Sequence, residues 1–330
     1  MTTRTPMDAV ISYGPDAPLV REILARPEAG PGQVLVRVKA SGVNPLDLKI
    51  RSGKAPHAKH PLPAVLGMDL AGTVEAVGVD VTAFAPGDEV YGLTGGIGGL
   101  QGSLAEFAAV DADLLAPKPA NLTMREAAAL PLVFITAWEG LVDRARVRAG
   151  QKVLVQGAGG VGQMVIQIAR AFDAEVYAAD RAAQRSQIEQ LGATAIDRHC
   201  TTVEEYVDDY TKGRGFDIVY DTVGALDPSF NAVMRFGHVV SCLGWSTHSL
   251  APLSFRAASY SGVFTLLPML TGQGRERHGQ ILREATRLSQ AGKIAPRLDP
   301  RRYTLDSVAE AHRAIEDRSA AGKIVIDIAQ

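Results

Sequence analysis

The run Gly157-Ala158-Gly159-Gly160-Val161-Gly162 has the residue types and spacing for chemistry on phosphate. Gly157, Gly159 and Gly162 fit the GxGxxG pattern. The first glycine permits a tight turn, the second lets backbone approach a pyrophosphate, and the third lets a helix pack closely on a strand. The pattern has meaning only between a strand and a helix. Both are expected here. Lys152 to Gln156 is a short apolar strand. Gly160 to Arg170 carries Val161, Met164, Val165 and Ile168 on one helical stripe. The helix N-terminus then offers free N–H groups and partial positive charge to a phosphate. These residues, with Gly160 and Val161 at the turn, predict a dinucleotide site.

Asp180 ends the next expected strand, 180 − 162 = 18 residues past the last glycine. An acid there accepts hydrogen bonds from an adenosine ribose and repels a 2′-phosphate. Arg181 follows directly, and Arg198 comes after the next short strand. Their planar guanidinium groups suit a phosphate.

The elements that must position these residues fall into two textures. The first ~120 residues hold short alternating runs, such as Val34 to Val38, Gly72 to Val77 and Glu89 to Tyr91, and a turn at Ala85-Pro86-Gly87-Asp88. They predict an all-β domain. Thr123 and Glu126 have the spacing of a capping box. From Lys152 strands alternate with helices: a strand at Glu175 to Ala179, a helix over Ala182 to Leu191 closed by Gly192, and strands at Thr194 to Asp197 and Phe216 to Tyr220. A helix capped by Asp227 and a strand at His238 to Leu243 follow. That order predicts a doubly wound parallel sheet. A helix from Gln280, another from Leu305 and a strand Lys323 to Ile328 complete the chain. The fold class expected is α/β, a β domain plus a Rossmann doubly wound parallel-sheet domain.

Composition excludes several functions. The 330 residues carry 34 basic and 36 acidic side chains, a net charge of −2, so no nucleic-acid footprint is present. No apolar run reaches membrane length and no leader is visible. A soluble, cytoplasmic protein is expected, with neither nucleic acid nor membrane as partner. Two cysteines, Cys200 and Cys242, make neither a disulfide framework nor a multi-cysteine metal site.

Longer motifs carry a resemblance. SGVNPLDLKIRSG from Ser41, LGMDLAGTVEAVG from Leu66, FAPGDEVYG from Phe84, LAEFAAV from Leu104, LPLVFITAWEGL from Leu130, FDIVYDTVG from Phe216 and GKIVI from Gly322 accompany the glycine run. Together they resemble the zinc-independent quinone oxidoreductase branch of the medium-chain dehydrogenase/reductase superfamily, over nearly the whole chain. The resemblance implies a GroES-like substrate domain over residues 1–122 with 272–330, and a Rossmann domain over 123–271. It places Asn44 and Thr136 beside a nicotinamide as catalytic-side residues, with Gly244 and Lys323 near the cofactor. It gives Asp47 a structural role. It also puts Arg185 where relatives hold a basic residue for the 2′-phosphate. Two phosphate contacts at roughly 1.5–3 kcal/mol each outweigh one Asp180 carboxylate free to turn into water. NADPH is therefore the expected cofactor, with NADH possible.

No metal site is expected. Where zinc-containing sisters carry Cys and His, this chain has Gly42-Val43-Asn44-Pro45 and Met68, and a glycine-rich segment, 93–102, replaces the four-cysteine lobe. His57 and His60 read as solvated. Without metal, hydride suits an acceptor already electrophilic. The expected activity is NADPH-dependent reduction of a small-molecule, quinone-type acceptor. The alternatives are a 2-alkenal/enone reductase or, in another class, a non-catalytic dinucleotide-binding structural relative. Ser52 to Pro56 lacks the tyrosine of enoyl-thioester reductases, and Tyr91 reads as packing in the β domain. The apolar run Gly262 to Leu267 reads as an exposed strand edge, and the resemblance makes it the seam of a homodimer.

Overall fold

Alternation builds the first half of the chain. The computed structural model describes residues 5–15 and 17–328. Val34, Val36 and Val38 are fully buried, while Arg37 reaches outward to Glu75. Three strands, β1 (Pro6–Ser12), β2 (Leu19–Ala25) and β4 (Ala64–Val65), form one antiparallel sheet. A larger sheet holds β3 (Gln33–Gly42), β5 (Asp69–Val77), β6 (Glu89–Leu93) and β8 (Leu115–Pro117), with β7 (Phe107–Asp111) paired to β3. The turn at 85–88 closes as its residues require: the Asp88 N–H donates to the Ala85 carbonyl, and the Asp88 carboxylate accepts from the Ala85 N–H at 2.8 Å. A short helix, α1 (Pro45–Arg51), leaves β3 with proline in its first turn.

Thr123 and Glu126 do form a capping box, at the start of α2 (Met124–Ala128). This helix packs on β3 and β5. The chain therefore divides into one unit of residues 1–132 with 266–330 and another of 133–265. The division expected from the resemblance, 1–122 with 272–330 and 123–271, puts α2 in the second unit, whereas its packing on β3 and β5 groups it with the first.

The second unit starts within α3 (Pro131–Trp138), which continues as a wider π turn, Glu139–Arg144. Six parallel strands follow: β9 (Lys152–Gln156), β10 (Glu175–Asp180), β11 (Thr194–Asp197), β12 (Phe216–Asp221), β13 (Val233–Ser241) and β14 (Ser259–Gly262). Their order is β11-β10-β9-β12-β13-β14. The order reverses between β9 and β12, and in such sheets ligands bind beyond the carboxyl ends of the strands at that point. The helices are α4 (Gly160–Ala171), α5 (Arg185–Gln190), α6 (Val203–Thr211), α7 (Leu226–Ala232) and α8 (Ala251–Arg256). Leu154, Tyr177, Phe216, Val219 and Phe230 share its buried core with Tyr206 of α6. The hydropathy reading passed over α6, although Thr202 and Glu205 form its capping box.

Several expected elements differ in detail. The helix at 182–191 opens as a 3-10 turn before α5. Asp227 does not cap α7, which begins at Leu226; its carboxylate pairs with His248 at 2.8 Å. The Asp221 carboxylate instead gathers the N–H groups of Val223, Gly224 and Ala225 ahead of that helix. β13 starts at Val233 and ends before Leu243. The apolar run at 262–267 is not a strand: β14 stops at Gly262. Thr265 turns inward to Glu139, and Pro268 opens α9 (Leu267–Thr271).

The chain then returns to the first unit through α10 (Arg275–Gln290), β15 (Tyr303–Thr304), α11 (Val308–Glu316) and β16 (Val325–Asp327). β16 lies antiparallel on β3 and pairs Val325 with Gly42. Among the described residues no helix is long and apolar enough to cross a membrane.

Candidate active site

In the second unit, backbone makes the site. A Cβ on Gly162 would stand 1.9 Å from the Gly157 carbonyl oxygen, so nothing larger than glycine fits between α4 and β9. A Cβ on Gly159 would meet no atom within 4 Å. That open face, above the N-terminus of a 12-residue helix, is the approach a pyrophosphate needs. The residues present therefore fit a dinucleotide, which Gly157, Gly159, Gly160, Val161 and Gly162 would hold.

Asp180 is buried and not free to rotate. One carboxylate oxygen accepts the Ala158 N–H and the other the Arg181 N–H, each at 2.7 Å. Its carbonyl accepts the Arg198 N–H at 3.0 Å. The acid thus staples the glycine loop to β10 and brings the backbones of Arg181 and Arg198 to the same strand end. The side chain of Arg181 is about half exposed. Arg185 is not drawn into this group; it lies 3.4 Å from Glu189, one helical turn on.

Thr136 is buried, with its carbonyl accepting the Tyr220 hydroxyl at 2.6 Å and its own hydroxyl 3.1 Å from that of Thr265. Thr265 also meets Glu139 at 2.9 Å. Neither partner was expected from the sequence, yet the π turn that carries Glu139 is a frequent mark of a functional site. Gly244 follows β13, where a Cβ would lie 2.1 Å from the Tyr260 hydroxyl oxygen.

In the first unit, side chains make the site. Asn44 and Asp69 are completely buried, Asp47 nearly so. The Asn44 Nδ2 donates to Asp69 Oδ2 at 2.9 Å. Lys323, whose side chain is 12 % exposed, donates to Asn44 Oδ1 and, at 3.1 Å, to Asp69 Oδ2. The other Asp69 oxygen accepts the Leu132 N–H at 2.9 Å. Asp47 Oδ2 accepts the Asn44 N–H at 2.7 Å, and the Gly67 backbone N–H also favours its ionised form. Burial, helped by the nearby Asp69 charge, pushes the Asp47 carboxyl up to about 7. Asp69 is the hub the sequence reading missed. Its only signal was an acid inside an otherwise apolar segment, Leu66–Ala71.

Tyr91 is wholly buried and donates to the Leu282 carbonyl at 2.6 Å. His57 and His60 are half-buried, and burial lowers both. Gly99 N–H reaches His60 Nδ1 at 3.3 Å. Among the described residues no group of three or more His, Cys, Asp or Glu is placed to hold a metal ion. Met68, beside Asp69, is fully buried hydrocarbon and thioether.

Known proteins agree with this architecture. The Alcohol dehydrogenase GroES-like domain family matches residues 30–120, and the Zinc-binding dehydrogenase family matches residues 191–326. A 2-methylene-furan-3-one reductase of Solanum lycopersicum is 37 % identical over 92 % of this chain and 74 % of its own. An NADPH-dependent alkenal/one oxidoreductase, chloroplastic, of Arabidopsis thaliana is 36 % identical over 91 % of this chain and 73 % of its own. Among solved structures, an alcohol dehydrogenase superfamily protein from Novosphingobium aromaticivorans is 57 % identical, with a TM-score of 0.95 over 98 % of this chain and 100 % of that one. A mycobacterial quinone oxidoreductase is 27 % identical, with a TM-score of 0.84 over 97 % and 99 %. The chain belongs to the medium-chain dehydrogenase/reductase superfamily and is an oxidoreductase of that family. The zinc in the second family's name finds no fitting ligand set among the described residues.

Proposed function

We propose that this protein reduces the conjugated double bond of small α,β-unsaturated carbonyl compounds with NADPH. The observation that carries the reading is the glycine cradle with its open face at Gly159. The acceptor class follows the two curated relatives, whose names specify an exocyclic enone and alkenal/one substrates.

Residues 157–162 would hold NADPH, which would supply the hydride for the β-carbon of the acceptor. The electron pair of the C=C bond shifts onto the carbonyl oxygen, and a proton from water completes the α-carbon. Conjugation spreads the charge, so the protein's work is orientation and donation to that oxygen. Asn44 is the donor in this reading. Thr136 and the Gly244 backbone would hold the nicotinamide ring. Arg181 and Arg198, with Arg185 released from Glu189, would meet the 2′-phosphate, a reading supported by Asp180 being occupied by the loop.

A quinone acceptor is the second reading, favoured by the motif resemblance and by the quinone oxidoreductase neighbour. Steady-state NADPH oxidation with an enone, an enal and a quinone side by side separates them. The enone reading expects kcat/KM at least tenfold above the quinone. Reduction of the quinone alone overturns it, and turnover of neither leaves the non-catalytic relative. The proposal includes a cytoplasmic homodimer joined at the open edge of β14. Light scattering at micromolar concentration is expected to give twice the chain mass.

A further inference from the structure

The buried group around Asn44 costs more than a simple packing solution. Two carboxylates and an ammonium are held out of water, and apolar residues of similar volume are often as stable or more so than a buried ion pair. The arrangement is better explained by what it does to Asn44. An asparagine amide has two faces that differ only by exchange of oxygen and nitrogen. Here the neighbours decide. An ammonium only donates and an ionised carboxylate only accepts. The atom facing Lys323 is therefore Oδ1, and the atom facing Asp69 is Nδ2. Both contacts vanish if the amide turns over, since oxygen would face carboxylate and NH2 would face ammonium. The Asn44 N–H is also held by Asp47, which fixes the backbone from which the side chain leaves.

We propose that Lys323 is a positioning residue that locks the orientation of the Asn44 amide, leaving one Nδ2 hydrogen as the donor to the acceptor's carbonyl oxygen. Lys323 also draws electron density from Oδ1, which strengthens that remaining N–H as a donor. The role in turnover rests on the reductase reading above; the lock itself does not.

Two experiments test it. The chain has three asparagines, Asn44, Asn121 and Asn231, so selective 15N-asparagine labelling gives three side-chain NH2 pairs, and the pair absent from Asn44→Ala identifies Asn44. In wild type that pair is expected to exchange with deuterium at least tenfold more slowly than the pair of Asn231. In Lys323→Met it is expected to lose most of that protection. An Asn44 pair with the same shifts and protection in Lys323→Met overturns the lock, whatever the enzyme reduces. If Lys323→Met does not fold, Lys323→Gln, which keeps a donor without the charge, is read in the same way.

The second experiment is a double-mutant cycle on kcat, with saturating NADPH and 3-penten-2-one. Lys323→Met is expected to lower kcat about 10- to 100-fold with the Kd for NADPH unchanged. In the Asn44→Ala background the same substitution is expected to change kcat less than twofold, because it has nothing left to position. Effects that multiply assign Lys323 an independent role and overturn the proposal. A wild type that reduces no enone while the amide lock is observed counts against the reductase reading alone.

Discussion

The two units solve the problem of a polar site in opposite ways. The glycine loop of the second unit uses backbone: turns, missing side chains and a helix end. Its buried acid Asp180 holds that backbone. The Asn44 group of the first unit uses side chains, and its charges come from three separate elements, α1, β5 and the segment before β16. A backbone site tolerates almost any neighbour but no extra atom. A side-chain site tolerates small shape changes but no change in charge. Substitutions therefore affect the two units in different currencies.

The largest expected effect is in the first unit. Asp69→Asn leaves Lys323 buried without its counter-charge, and breaking such a pair costs about 3–5 kcal/mol. Urea unfolding is expected to show that loss; a change under about 1 kcal/mol would mean the pair behaves as a surface pair, and the contrast fails. In the second unit, Gly162→Ala forces a carbon 1.9 Å from the Gly157 oxygen. Overpacking of that kind costs about 1–3 kcal/mol, so the Kd for NADPH is expected to rise up to about 100-fold, read by fluorescence titration. An unchanged Kd would show that the loop yields without consequence.

Titration sharpens the comparison further. His312 is completely buried, neither ring nitrogen has a hydrogen-bond partner among the described residues, and burial, with Arg51 nearby, lowers its pKa to about 4. A depressed histidine contributes stability that is present above its unfolded value of about 6.5 and lost as pH falls towards 4. Asp47 runs the other way. Its carboxyl is raised to about 7, so its contribution is present at low pH and lost as pH rises through 7. Between pH 5 and 7 the two slopes oppose, each worth about 2 kcal/mol. His312→Leu is expected to remove one slope, so that the variant is more stable at pH 5 than at pH 7 by about 2 kcal/mol relative to wild type. Parallel urea profiles for the two proteins would refute this.

The smallest effect concerns the cofactor's phosphate. Arg185 and Glu189 are both about half exposed, so Arg185→Ala is expected to lower the ratio of kcat/KM for NADPH over NADH only about tenfold, the low end for a charged contact. Equal weakening of both cofactors would take Arg185 out of phosphate recognition.

This contrast also governs what was legible beforehand. The glycine loop could be read residue by residue, because steric limits act on neighbours in sequence and leave glycine as their trace. The strands β9 and β11 were read with their observed limits for the same local reason. The Asn44 group was not legible from pattern. Its members are 254 and 279 residues from Lys323, and no periodicity reports a contact of that range; resemblance alone named Asn44 and Lys323, and nothing named Asp69. The misread segment at 262–267 failed because hydrophobicity does not distinguish a strand from a buried turn. Thr265 and Pro268 were the local signs that it ends.

The return of the chain to β3 has a consequence in time. Lys323 is made 279 residues after Asn44. A ribosome adding about 5–20 residues each second needs roughly 14–56 s to supply it. During that interval Asn44, Asp47 and Asp69 already exist, but the cation that settles their arrangement does not. The Rossmann unit is continuous in sequence, so all of it has been synthesised before Lys323 appears. A newly made molecule would thus acquire its nucleotide cradle first and its oriented amide last.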